Sequence, residues 1–346
     1  MQDPRFTTAV LQWYAENGRD LPWRRTRDPY AVWISEIILQ QTRIAQGRAY
    51  WERFMALFPD VGSLAAASED EVLRAWQGLG YYSRARNLLA AARQIVQAGS
   101  FPDTLEGLRA LKGVGDYTAA AIGSIAFGLQ EAVVDGNVYR VLARYYGLDD
   151  PVGSNAAKKR FTQIATDLLP EGQAGTFNQA MMDFGALQCT PASPDCLDCP
   201  LRETCSAFRT DRVAELPLRQ TKPTVKERWF SYIYLRCEGW TALRRRPAGD
   251  IWQGLWEPLL VERETAGTPL RLPFDAPRKD LICLQRDVRH QLTHRSLHAD
   301  FYLLECTRRP ELPEEYRWVK ETELDAFAKS RLFEKMLESY LTTGDS

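Results

Sequence analysis

The chain has 346 residues, 45% hydrophobic and 26% charged, a composition that suits a soluble protein with room for two or three cores. No apolar run is long enough for a membrane span, and nothing at the N-terminus reads as a secretory signal. With 44 basic against 45 acidic residues the net charge is -1, so no general field draws the chain to nucleic acid and any such surface must be local.

The first 205 residues read as helices divided by Gly and Pro. From Tyr30 to Gln41, the side chains of Tyr30, Trp33, Ile34, Ile37 and Ile38 share one helical face. Glu36 and Leu39 lie off that stripe. A solvated glutamate is the default there, but if a second face closes, Glu36 is desolvated, its pKa rises and it becomes a proton donor. Ser68-Glu69-Asp70-Glu71 is a capping box opening a helix that stops at Gly78. Further helices are predicted over 82–98, 104–110, 116–127, 137–147, 155–169 and 175–188. Gly113 and Gly115 permit a tight turn between two of them, either a plain helical hairpin or one whose outward amides hold a phosphate. Asp135, within Val134-Asp135-Gly136-Asn137, falls at a helix N-terminus, where the dipole and free amides favour the anion.

Cys189, Cys196, Cys199 and Cys205 follow, spaced Cx6CxxCx5C in a Pro- and Asp-rich loop. Seven cysteines in a chain of this length are too few for a disulfide scaffold, so reduced thiols are expected. Thiolates suit zinc or an iron-sulfur cluster, and the spacing matches neither a zinc ribbon nor a bacterial ferredoxin, so spacing alone leaves both metals open. Residues 206–228 are polar, carry two prolines and read as a linker. Beyond it FSYIYLR, LWEPLLV and HADFYLL read as strands and Thr322–Tyr340 as a helix. This gives an all-α region over 1–205 and an α+β domain over 229–346. His290, His294 and His298 recur every four residues, but in strand-and-loop sequence, which argues against a helical zinc site. Cys237, Cys283 and Cys306 are scattered and read as core residues.

LKGVGDYTAAAIGSIAF at 111–127, VVDGNVYRVLARY at 133–145 and the four-cysteine loop together resemble the helix-hairpin-helix superfamily of iron-sulfur base-excision DNA glycosylases. LPWRRTRDPYAVWISEIILQQTRI at 21–44 and GLGYYSRARNL at 78–88 narrow the resemblance to the adenine DNA glycosylase family. It implies a multidomain chain: an all-α helix-hairpin-helix catalytic region, with a hairpin near 105–127 that grips the DNA backbone and a 4Fe-4S cluster on the four cysteines, followed by a Nudix-like domain. It implies that Glu36 protonates the adenine and Asp135 stabilises the sugar cation, with Arg24, Tyr117 and Asn137 as partners. Gln41 and Tyr81 match residues that wedge into the DNA stack, filling the gap left by an extruded base. RRRPAGDIWQGLWEPLLVE at 244–262 resembles the Nudix-like domain of the same enzymes, which reads 8-oxoguanine opposite the adenine. The glutamate-rich stretch that binds magnesium in Nudix pyrophosphatases is missing. Where the family has a Phe-Ser-His loop, this chain has Leu292-Thr293-His294, keeping the hydroxyl and imidazole but not the aromatic ring.

The resemblance therefore implies a monofunctional hydrolase that removes adenine mispaired with 8-oxoguanine, and more weakly with guanine, from double-stranded DNA. It further implies a monomer in the cytoplasm or nucleoid of a bacterium. The competing readings are an endonuclease III-like pyrimidine glycosylase-lyase and a non-catalytic DNA-damage binding protein. The lyase branch carries a lysine two residues beyond the second hairpin glycine. Tyr117 stands there in this chain, and a phenol forms no Schiff base. Borohydride added during turnover should accordingly trap no covalent protein–DNA adduct at efficiencies typical of a lyase; efficient trapping would return the lyase reading.

Overall fold

The computed structural model describes residues 3–218, 225–275 and 280–344 and divides into two compact units, Met1–Ala66 with Ala90–Thr221, and Ala67–Leu89 with Lys222–Ser346. The helices in chain order are α1 (Pro4–Asn17), α2 (Pro29–Leu39), α3 (Ile44–Leu57), α4 (Val61–Ala66), α5 (Glu69–Ala75), α6 (Ser83–Ala98), α7 (Leu105–Ala110), α8 (Asp116–Ala126), α9 (Gly136–Tyr146), α10 (Asn155–Asp167), α11 (Ala174–Asp183) and α12 (Ser206–Arg209). None of the helices among the described residues is long and apolar enough to cross a membrane.

In the first unit α2 is the helix on which the site is built. Asp28 starts it by accepting from the backbone N–H groups of Tyr30 and Ala31, with Pro29 at the first helical position. Every residue from Tyr30 to Ile38 is buried, so the second face closes as well as the apolar stripe. One neighbour is α8, itself buried from Thr118 to Ser124. A second core gathers Phe6, Phe161, Phe177, Phe184 and the apolar face of α9, and Cys189, Cys199 and Cys205 pack at its edge.

The helix expected over 175–188 stops being regular at Asp183 and widens into a π-type turn over Phe184–Gln188. Segment 206–228 is more structured than its polar composition suggests. It opens with α12, Leu216 is buried, the Arg144 guanidinium donates to the Leu216 carbonyl at 3.0 Å, and the first strand already begins at Lys226. Positions 219–224 of that predicted linker lie outside the described residues.

The second unit carries strands β1 (Lys226–Cys237), β2 (Trp240–Arg245), β3 (Trp256–Glu257), β4 (Leu259–Arg263), β5 (Leu281–Gln291), β6 (Arg295–Glu305) and β7 (Tyr316–Lys320), followed by α13 (Arg331–Gly344). The order β3-β2-β1-β6-β5 has β1 and β6 parallel at its centre, with β4 on β1 and β7 on β2. Side chains alternate across β1 as a period of two requires. Phe230, Tyr232 and Tyr234 face a core with Leu332, Phe333 and Met336 of α13, and Ile233 and Leu235 face another with Leu259, Tyr302 and Leu304. His290 lies in β5, His298 in β6 and His294 in the turn between them, so the three histidines share no helix. Of the scattered cysteines Cys237 is buried but Cys283 is exposed, which corrects its reading as a core residue.

The capping box at Ser68 is present in full, with the Ser68 hydroxyl accepting from the Glu71 N–H and the Glu71 carboxylate accepting from the Ser68 N–H. Its helix ends at Ala75, earlier than the expected stop at Gly78. The helix expected over 322–340 is broken into a 3-10 turn, Glu321–Ala326, and α13. Between them the chain is drawn toward β3, the Ala328 carbonyl accepting from Trp256 N–H at 2.8 Å, which a helix through Ala328 would forbid.

Candidate active site and cysteine loop

Glu36 leaves α2 toward a cavity of about 450 Å³ that is also lined by Arg24, Tyr117, Asp135, Asn137 and Met182. The five residues expected to form the catalytic group are thus brought together. Glu36 is 8% exposed, and burial pushes its carboxyl up to about 7. The Tyr117 hydroxyl, donating to Glu36 Oε2 at 3.0 Å, pulls the other way; the negative charge of Asp135 adds to the rise and Arg24 opposes it. At neutral pH this carboxyl is poised between its two forms. Burial and the two neighbouring carboxylates hold the Tyr117 phenol well above its usual range, so it stays a neutral donor.

Asp135 is the N-cap of α9, one oxygen accepting from the Asn137 and Val138 N–H groups at 2.8 Å each and the other from Asn137 Nδ2 at 2.8 Å. Burial nonetheless outweighs these contacts and raises the carboxyl above its ordinary value, so the helix end does not lower it as the N-cap argument alone expects. The loop before it is tied down by Asn178, whose side chain accepts from Val133 N–H and donates to Ser124 Oγ and to the Glu131 carbonyl.

Two buried charges behind these groups were not singled out from sequence. Asp183 is 0% exposed. Burial would raise its carboxyl, but Arg24 and Arg19 hold it below its usual value; Arg24 places Nη1 and Nη2 at 2.6 and 2.8 Å, and the Arg19 guanidinium closes on the same carboxylate. Arg24 is thereby fixed at the cavity wall. On the far side of Asn137, Arg140 donates to Asn137 Oδ1 at 2.8 Å, to the Gly185 carbonyl at 2.6 Å and to the Cys189 carbonyl at 2.7 Å. A hydrogen-bonded path therefore runs from Asp135 through Asn137 and Arg140 to the first cysteine. The signals were a lone acid in the apolar run AMMDFGAL and an arginine on the inner face of α9.

A second cavity, of about 740 Å³, shares Glu36, Tyr117 and Asp135 with the first and extends past Gln41 to Gly113 and Gly115. Gly113 has φ of 79°, the left-handed value that the hairpin turn requires. At its mouth Asp116 pairs with Arg109 at 3.1 Å and Lys158 at 2.6 Å. Gln41 is exposed with φ of 60°, a strained backbone for a glutamine. Within the second unit Tyr81, Leu292, Thr293 and His294 border a separate cavity of about 630 Å³ with Trp252 and His290, and the Tyr81 and Thr293 hydroxyls are hydrogen bonded. Tyr81 is 47% exposed, not an aromatic core residue.

The four cysteines stand close enough for Cys196, Cys199 and Cys205 each to feel the charge of Cys189, although burial is the first cause of their raised pKa values. Arg144 places Nη1 at 3.4 Å from Cys189 Sγ, and its carbonyl accepts from Cys205 Sγ at 3.5 Å. As they stand, no group of three or more His, Cys, Asp or Glu among the described residues could hold a metal ion. A donor set of four thiols, Cys189 beside the buried Arg144, fits an anionic, thiolate-bound cluster in its chemistry.

Comparison with known proteins adds family likeness to this geometry. Residues 34–166 match the HhH-GPD superfamily base excision DNA repair protein profile, and 231–339 match a NUDIX domain. The adenine DNA glycosylase of Buchnera aphidicola subsp. Acyrthosiphon pisum is 37% identical over 254 residues, 72% of this chain and 73% of that protein. The human adenine DNA glycosylase is 44% identical over 213 residues, 58% of this chain but 39% of the human protein. Among solved structures, a thermostable thymine-DNA glycosylase aligns with a TM-score of 0.54 at 30% identity, covering 59% of this chain and 95% of that one. A trapped endonuclease III–DNA covalent intermediate aligns at 0.52 and 23% identity, covering 59% and 94%, a likeness of fold.

Gly185 is where the site and the cysteine loop press together. A Cβ there would lie 2.6 Å from Asn137 Cβ. Gly185→Ala should displace Asn137 and slow base excision about tenfold or more while DNA affinity stays near wild type, as single-turnover rates and a binding titration would register.

Proposed function

The chain belongs to the adenine DNA glycosylase family, and on that premise we propose that it hydrolyses the N-glycosidic bond of adenine mispaired with 8-oxoguanine, or more weakly with guanine, in duplex DNA. The observation that carries the reading is a pair of carboxyls in one cavity with unequal surroundings: Glu36, buried and poised near neutrality at about 7, and Asp135, held by backbone N–H groups. Unequal carboxyls are the means by which glycosidic bonds are broken, one as acid and one as the partner of an oxocarbenium-like sugar.

In this mechanism an extruded adenine enters the cavity beside Glu36, which donates its proton to the five-membered ring. Bond cleavage leaves positive charge on the sugar, opposite the Asp135 carboxylate. Arg24, fixed by Asp183, and the Tyr117 hydroxyl shape the pocket around the base. Asn137 keeps Asp135 turned toward the sugar and helps place the water. The hairpin at Gly113 and Gly115 holds backbone phosphate, and Gln41 and Tyr81 fill the space that the base leaves. Thr293 and His294, with Leu292, face the opposing base in the Nudix-like domain and favour 8-oxoguanine. Cys189, Cys196, Cys199 and Cys205 would hold a 4Fe-4S cluster, which would organise the loop between them and take no part in the proton transfer.

Single-turnover excision from duplexes with adenine opposite 8-oxoguanine tests the assignment. Glu36→Gln and Asp135→Asn should each lose activity by at least about a hundredfold, and full activity in either would remove that residue from the mechanism. Because the acid acts only when protonated, the wild-type rate should fall as pH rises through about 7. Tyr117→Phe deletes a contact that lowers the Glu36 pKa, so that limb should move to higher pH.

Purified protein should contain about four iron atoms and absorb in the visible as iron-sulfur proteins do. Removing the iron, or Cys199→Ser, should weaken DNA binding and stability first; an iron-free protein of full activity would defeat the cluster assignment.

A further inference from the structure

The turn that carries Tyr81 is built from neighbours in the segment 76–84, and one of its members has no role in the mechanism above. Gly80 and Tyr81 both take left-handed backbone, with φ of 71° and 47°. For a tyrosine that conformation is strained and persists only where the surroundings enforce it. The ring it carries is half exposed, without the burial that would otherwise fix its direction.

Arg84, the second residue of α6, meets this turn. Its guanidinium carbon lies 5.5 Å from the centroid of the Tyr81 ring and 5.3 Å from that of Trp76, which is fully buried. The same guanidinium donates through Nη2 to the Leu79 and Gly80 carbonyls, each at 3.3 Å, and Trp76 Nε1 donates to the Gly80 carbonyl at 3.1 Å. Burial lowers the Arg84 pKa only to about 10, so the group is charged at neutral pH. A planar, always-charged fork is suited to stacking on rings and donating to carbonyls in one pose, and a lysine could not reproduce both.

We propose that Arg84 is a positioning residue that sets the Tyr81 ring before DNA arrives, by stacking on it while bracing the two carbonyls of its strained turn. This rests on the reading of Tyr81 as the side chain that wedges into the duplex. A wedge that must find its direction during base extrusion loses rate to that search; one held in place does not. The Thr293 hydroxyl, bonded to that of Tyr81, meets the far end of the ring.

The test uses the full chain with its iron, carrying fluorotyrosine at position 81 for fluorine NMR without DNA, and unlabelled protein for single-turnover excision. Arg84→Ala should shift and narrow the fluorine resonance and slow excision from duplex DNA about tenfold, while excision of an adenine in single-stranded DNA, where no stack is opened, changes little. Arg84→Lys, which keeps a cation under the ring, should recover part of the duplex rate, and serves if the alanine variant does not fold. In a Tyr81→Ala background Arg84→Ala should add nothing. An unmoved fluorine resonance, or a full tenfold loss added to that of Tyr81→Ala, would overturn the role of Arg84. Wild-type duplex excision by Tyr81→Ala would instead overturn the wedge reading, and the proposal with it.

Discussion

The burial of the Glu36 carboxyl is the constraint on which the rest of the site depends. A helix buried on every residue from Tyr30 to Ile38 leaves a carboxyl nowhere to reach water except its own cavity. A charge in such a place is costly, and the usual relief is to take up a proton. Arg24 limits that relief, and Arg24 is itself a buried cation that needs an anion. Asp183 supplies it, and the full burial of Asp183 in turn calls on Arg19. Four charged side chains are thus set in series, so that only Glu36, at the end of the series, faces the cavity with its protonation undecided near neutrality.

Asp135 belongs to a different support. Its partners are backbone N–H groups, the Asn137 amide and, through Arg140, the carbonyls of Gly185 and Cys189. One carboxyl rests on a helix core and the other on the cysteine loop. They differ in surroundings because they belong to different packing layers, and this keeps their proposed roles distinct although burial raises both pKa values. The wide turn over Phe184–Gln188 joins the layers: it follows Asp183 directly, brings the Gly185 carbonyl to Arg140 and delivers Cys189.

Much of this was legible in the sequence where the cause was local. The Ser68 capping box, the Asp135 N-cap, the glycine hairpin and the FSYIYLR strand each depend on residues within a few positions, and each took the form expected. Glu36 was legible only conditionally, since its helix shows one apolar stripe and its burial needs α8 to close the other face. The Asp183 pair with Arg24 spans 159 positions and that of Arg140 with Cys189 spans 49, so no window of sequence contains them. The misread helix over 322–340 has the same origin, because its break answers to β3, far earlier in the chain. Family likeness covered the motifs and passed over Arg84, whose work is done entirely on its neighbours.

Tyr117 shows how one position fixes both what the site does and what it does not do. A lysine there would offer a nucleophile, but it would also set a cation against Glu36 and drive that carboxyl toward its anion. The phenol donates a hydrogen bond at 3.0 Å while remaining neutral, because burial and the two carboxylates hold its own proton firmly in place. Its pull on Glu36 is therefore outweighed by desolvation, and the carboxyl still sits near 7. The absence of an amine that would attack the sugar follows from this side chain, and its neutrality leaves burial to set the Glu36 carboxyl near 7. In the proposed mechanism, a site with an acid poised near neutrality and no amine breaks the bond to the base by giving the base a proton and leaves the sugar to water.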